Sequence, residues 1–217
     1  MLETIVTTGR QAAQAAGAVL RQNYLKPHQV VLKGAIDPVT ETDLLSQETI
    51  IALIRQAFPD HRFLAEESSV AQPPPAVQTH ASAPHRWIID PLDGTVNFAH
   101  GFPMFCVSIA FEAEGVLKYG VVYDPLRDEL FEAVKGQGAT MNGHPIRVST
   151  TDRLDRALLA TGFPYDIRER LPETLARLGR MLGVAQGVRR AGSAALDMAY
   201  VACGRLDGFW EENLKPW

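Results

Sequence analysis

The stretch 86–103, RWIIDPLDGTVNFAHGFP, constrains this chain more than any other part of it. Trp87, Ile88 and Ile89 form an apolar run expected to be a buried strand, and Asp90 is the first residue pushed out of its end. Pro91 is expected to stop the strand ladder and Gly94 to permit a sharp turn, so that Asp90 and Asp93 address one place from two sides of a bend. Carboxylates held that close repel unless something positive lies between them. A hard, oxygen-ligated cation such as Mg²⁺ satisfies that need. Gly94 and Thr95 next offer backbone N–H groups where a helix is expected to begin, a suitable rest for phosphate oxygens. An isolated Asp-Pro-x-Asp-Gly reads more readily as a strand-ending turn, so the case rests on the whole run.

The 217 residues, 46% of them hydrophobic, can bury a substantial core as one large domain or two intimate lobes. A net charge of −4 with scattered basic residues gives no general attraction to nucleic acid. Neither an export signal nor a membrane-spanning run is found. Cys106 and Cys203 sit in apolar stretches and are read as small core residues with no needed disulfide, which fits a reducing cytoplasm.

Periodicity predicts a first amphipathic helix over 2–24, a strand over 29–33 turning at Gly34, and a second helix to about Phe58 capped by Thr40 or Thr42, with Asp43 in its first turn. The stretch 62–68 reads as a short strand whose polar end arrives at Glu66 and Glu67. The Pro-rich segment 70–85 is expected to be an exposed loop carrying His80 and His85 as surface histidines. Strands follow over 105–111, 116–123 and 129–134, with a hairpin at Asn142-Gly143. Gly136-x-Gly138 is not read as a dinucleotide loop, because no suitable helix follows. Beyond a strand at 157–161, helices are expected at about 171–182 and from 189–197 to about Cys203. The order suggests layered α and β elements without an internal repeat.

Residues 87–103 match the signature W-[IV]-[IV]-D-P-[IL]-D-G-T-x-N-F-x-x-x-F-P at every fixed position, and the chain strongly resembles the inositol monophosphatase family. Lys33, Asp37, Val39, Thr40 and Asp43 match a second family motif, and Glu66-Glu67 a third, with Ala65 in place of the usual Gly. That change matters only if the backbone there needs positive φ. The resemblance implies an α+β, layered α-β-α-β-α sandwich of the sugar phosphatase type with mostly antiparallel sheets, lacking the final strands and helix. A metal-binding lobe over about 1–150 and an incomplete substrate-side lobe over about 151–217 would form one domain.

It also implies a division of labour. Glu66, Asp90, Asp93 and the Leu92 carbonyl would hold two or three Mg²⁺ ions, with Glu67 as a supporting acid. Thr95, held by Asp43, would align water for attack, so Thr95, Asp43 and Glu66 are the expected catalytic residues. Asp93, Gly94, Thr95, Gly192, Ser193, Ala194 and Glu211 would contact the substrate, with Glu212 the second choice beside Glu211. The expected reaction is hydrolysis of a small polyol or sugar phosphate, inositol 1-phosphate first, by direct attack of water, since the acid cluster presents no nucleophilic Cys, Ser or His. Similar proteins handle fructose 1,6-bisphosphate, histidinol phosphate and adenosine 3′,5′-bisphosphate. Lithium sensitivity and a homodimer are further expectations.

The sequence ends LKPW where the family continues W-D-x-A-[AG]-G, whose Asp is a metal ligand. A fragment of a longer product and a variant short of one carboxylate are both compatible with that ending. Two non-enzymatic alternatives therefore stand beside the hydrolase: a binding protein on the same fold, as some bacterial relatives are with transcription complexes, and an inactive remnant.

Overall fold

The computed structural model describes residues 1–33, 38–69, 84–164 and 166–217. The expected Gly34 turn, Asp37 and most of the 70–85 segment, His80 included, lie outside the described residues.

Helix α1 (Leu2–Asn23) buries Ile5, Ala12, Ala13, Ala16 and Leu20 along one side, the spacing that makes it amphipathic. After it, β1 (Val30–Leu32) and β2 (Pro38–Thr40) form an antiparallel ribbon, and α2 (Glu41–Ala57) starts at Thr40. The cap is a reciprocal one. The Thr40 side chain accepts from the Asp43 N–H, while the Asp43 carboxylate accepts from the Thr40 N–H.

The central sheet is built from β3 (Arg62–Ala65), β4 (His85–Asp93), β5 (Cys106–Ala113), β6 (Val116–Asp124), β7 (Glu129–Val134), β8 (Gly138–Met141) and β9 (His144–Pro145), paired in that order. Every pairing is antiparallel except β3 with β4. Helices α1 and α2 cover one face through Val107, Ile109, Phe111, Tyr119, Val121 and Tyr123. A short helix, α3 (Thr95–Ala99), follows β4.

The remaining elements are β10 (Leu158–Thr161), α4 (Leu171–Leu182), β11 (Gly187–Arg189), α5 (Ala194–Ala202) and β12 (Gly208–Trp210). Here β10 lies between β11 and β12 with both pairings parallel. Helix α5 packs Ala195, Leu196 and Ala199 with Met104, Cys106 and Phe131 on the other face of the central sheet. It also touches β10 and β12, and α4 lies against β11. This succession of helices and sheets is the layered α+β arrangement expected from the sequence. No helix among the described residues is long and apolar enough to cross a membrane.

Three local expectations need correction. Strand β4 does not stop at Pro91 but runs to Asp93 with a break in register: Asp90 faces Ser108 and Asp93 faces Cys106, so three steps along β4 oppose two along β5. A bulge leaves an unpaired position, where a proline's missing N–H costs nothing. His85 is not on a surface loop; half-buried, it opens β4 with its ring 4.9 Å from that of His61 and 5.8 Å from that of Phe111. The strand expected over 62–68 ends at Ala65, and Glu66–Ser69 form a 3-10 turn that carries the paired acids out of the sheet; β11, preceding α5, is an addition to the expected elements. Both cysteines are free, Cys106 buried in the core and Cys203 half-buried.

Candidate active site

The bulge determines where the acids point. In a regular strand, residues 90 and 93 would face opposite sides of the sheet; the extra residue brings both to the side on which α5 packs. The Pro91 carbonyl at its centre accepts a 2.7 Å hydrogen bond from Ser46 of α2, and the Leu92 N–H donates to Asp90 Oδ1 at 3.1 Å. Gly94 then turns the chain at φ +102° and caps α3. A Cβ there would lie 2.8 Å from the Met104 carbonyl oxygen, so glycine is required for space as well as conformation.

Glu66, Asp90, Asp93, Gly94 and Thr95 line one open cavity of about 990 Å³ together with Gly192, Ser193, Ala194, Asp197 and Glu211. The expected carboxylates therefore converge. Burial pushes the Asp90 carboxyl well above its ordinary range, and the neighbouring charges of Glu66 and Asp93 and a hydrogen bond with Glu66 push it further. Asp93 is raised mainly by burial, against which the Ser193 hydroxyl and the Ala195 N–H act, each donating to its Oδ2 at 2.7 Å. Glu67 is fully buried and lifted to about 7 by desolvation, with Lys33 opposing. Its Oε2 has no hydrogen-bond partner. The Lys33 ammonium donates to Glu66 Oε1 at 2.9 Å and to Glu67 Oε1 at 2.8 Å, and so supplies the countercharge. Ala65 ends β3 without positive φ, so its replacement of glycine is accommodated.

Thr95 and Asp43 meet as expected. The Thr95 hydroxyl lies 2.9 Å from Asp43 Oδ1 and 3.0 Å from the Leu92 carbonyl oxygen, and can give its single proton to one of them at a time. Asp43, fully buried, is raised to about 6 by desolvation, opposed by its bonds from Thr40 and Thr95. A residue that serves as the N-terminal partner in the α2 cap is thus also the acceptor that orients Thr95.

Of the expected substrate contacts, Gly192, Ser193, Ala194 and Glu211 reach the cavity, but the Ser193 side chain is already occupied. It donates to Asp93 and caps α5 through the Leu196 N–H. Glu211 follows β12 and its carboxyl lies directly over Gly162, in the space that a side chain there would take. Glu212 also lines the cavity, yet its carboxylate pairs with Arg170 and Arg177. Asn97 had no role in the sequence reading; its amide donates to the Met104 and Ala191 carbonyls at 2.7 and 2.8 Å, tying the Asp93 loop to the approach to α5. Its fixed place in the 87–103 signature was the available signal.

Among the described residues no three His, Cys, Asp or Glu groups stand close enough together, as placed, to hold a metal ion between them. The donor set nevertheless fits a hard divalent cation: carboxylates of Glu66, Asp90 and Asp93, the Leu92 carbonyl, raised carboxyls, and an orphaned Glu67 oxygen beside them.

A layered α+β scaffold holding clustered acids beside a threonine bonded to a buried aspartate defines a phosphatase-type architecture, and comparison with known proteins agrees. The inositol monophosphatase family matches residues 1–217, and the chain belongs to it. It is 45% identical over 217 residues to the inositol-1-monophosphatase of Synechocystis, covering all of this chain and 73% of that protein. It is 43% identical over 218 residues to the Nus factor SuhB of Salmonella typhimurium, covering 79% of it. The crystal structure of the extragenic suppressor protein suhB from Bartonella henselae superposes with a TM-score of 0.91 at 42% identity, over 99% of this chain and 80% of that one.

Proposed function

We propose that the protein is a Mg²⁺-dependent phosphomonoesterase acting on a small polyol or sugar phosphate, inositol 1-phosphate first. The observation that carries this reading is the Thr95–Asp43 pair at 2.9 Å beside the converging Glu66, Asp90 and Asp93. Glu66, Asp90, Asp93 and the Leu92 carbonyl would hold the metal, as two or three ions. When bound, Mg²⁺ supplies positive charge against the phosphate oxygens and acidifies an attacking water.

The chain's own residues do the rest. Asp43 accepts the hydrogen bond of the Thr95 hydroxyl, which leaves the threonine oxygen's lone pairs to accept a hydrogen bond from water and align it against phosphorus. The Gly94 and Thr95 amides hold phosphate oxygens at the start of α3, where backbone N–H groups lack helical partners. Ser193 and the Ala195 N–H fix Asp93, while Gly192, Ala194 and Glu211 border the space for the alcohol portion. Residues 1–150 act as a metal-binding lobe and 151–217 as a substrate-side lobe. The reading includes a homodimer working in the cytoplasm.

The test is phosphate release from inositol 1-phosphate with and without Mg²⁺. Metal-dependent turnover that Asp93→Asn abolishes supports the proposal; no release from any sugar or nucleotide phosphate sinks it. The name Nus factor SuhB, carried by the Salmonella relative, favours a second reading in which the protein works by binding a partner. Partner binding that persists in Asp93→Asn while phosphate release is absent even from the parent protein would select that reading.

A further inference from the structure

Asp197 takes no part in the chemistry described so far, yet it lines the same cavity as Asp93 and Glu211. It is 2% exposed, and its Oδ1 has no hydrogen-bond partner. Buried carboxylates are ordinarily paired or hydrogen-bonded, so an unpaired one on a cavity wall indicates a donor that arrives from the cavity.

Its position says which part of a substrate that donor belongs to. Ser193 begins α5 and holds Asp93 with its hydroxyl, and the Asp197 N–H closes the first helical turn on the Ser193 carbonyl. Residues four apart share a helix face, so Asp197 stands on the Ser193 side, about 6 Å further along the axis. That separation is comparable to the width of a six-membered ring. Glu211 faces the same space from the end of β12. The guanidinium of Arg190, over the Phe163 ring at 5.5 Å, acts on both carboxyls through its charge. Burial, with Asp93 and Glu211 adding repulsion, holds the Asp197 carboxyl up at about 7, as its surroundings require. A leucine would fill this wall without leaving an oxygen orphaned, so packing alone does not account for an aspartate.

We propose that Asp197 is a substrate-binding residue that accepts a hydrogen bond from a hydroxyl of the alcohol portion, so that the favoured esters are monophosphates of cyclic polyols or sugars with free hydroxyls beyond the one esterified. This rests on the hydrolase reading above, and adds a determinant of which ester is chosen.

The experiment compares kcat/KM for inositol 1-phosphate with that for phenyl phosphate, which has no hydroxyl to read, in the parent protein, Asp197→Ala and Asp197→Asn. The expected result is a tenfold or greater fall in the ratio of the two values in Asp197→Ala, carried mainly by KM for inositol 1-phosphate. A smaller fall is expected in Asp197→Asn, which keeps the shape and one acceptor oxygen. An unchanged ratio overturns the proposal, whether both activities drop or neither does. Should the parent protein hydrolyse neither ester, the hydrolase reading fails by itself, and calorimetric binding of inositol 1-phosphate decides Asp197 without turnover. Tenfold weaker binding in Asp197→Ala supports the proposal; equal affinity, or no binding to the parent protein, overturns it.

Discussion

A threonine hydroxyl carries one proton, and what receives it decides what the oxygen can do next. With Asp43 as acceptor, Thr95 is left as an acceptor toward the cavity. Thr95→Val should lower kcat by about 10²-fold or more with KM changed only a few-fold, the pattern of an interaction made in the transition state. Steady-state kinetics on inositol 1-phosphate checks it. Ser193→Ala removes one of the two 2.7 Å donors to Asp93 and should weaken Mg²⁺ binding by about 10- to 100-fold, measured by calorimetry. Asp43, Thr95 and the acids were legible because the motifs place them. That Ser193 would serve Asp93, or Asn97 the Ala191 carbonyl, was not legible. Those partners are 100 and 94 residues apart, and only the packing of α5 on the sheet brings them together.

At the scale of elements, α2 and α4 were readable almost to the residue because their ends are marked, α2 by Thr40 and Asp43 and α4 by Pro172 in its first turn. Strand β11 was not, since three residues carry no period, and its parallel pairing with β10 depends on a crossover through α4. The bulge in β4 was misread as a strand end because Pro91 has the same local meaning in both cases. Gly94→Ala combines a left-handed φ with a clash against the Met104 carbonyl and should destabilise the fold by about 1–3 kcal/mol in urea titration. Gly162→Ala displaces the Glu211 carboxyl lying over it; KM for the polyol phosphate should rise with little loss of stability.

Across the whole molecule, Asp43 at about 6 and Glu67 and Asp197 at about 7 sit above the ordinary carboxyl range near 4. The folded chain therefore binds more protons than the unfolded chain between about pH 4 and 7, and these groups give stability that is full below about pH 4 and lost as the pH rises through 6 and 7. His61, held down by burial and His85, works in the opposite sense but counts once. Without divalent ions, Tm should fall from pH 5 to 7.5, and less steeply in Asp43→Asn. The rise in Tm on adding Mg²⁺ should grow as the pH increases, because ligation needs the carboxylates free of protons and burial holds Asp90 and Asp93 above their ordinary range. Scanning calorimetry in EDTA and in Mg²⁺ reads both slopes.

The ammonium of Lys33, lodged between Glu66 and Glu67, bears on the order of events in the life of this molecule. A pocket of acids that brings its own cation from a neighbouring segment can be assembled during synthesis, before any ion has been encountered. The incoming ion then has a resident lysine to compete with, so loading becomes a matter of exchange. Replacing Lys33 with methionine should leave the nascent chain waiting for magnesium before it can close around these acids, and its yield in metal-depleted refolding should drop accordingly.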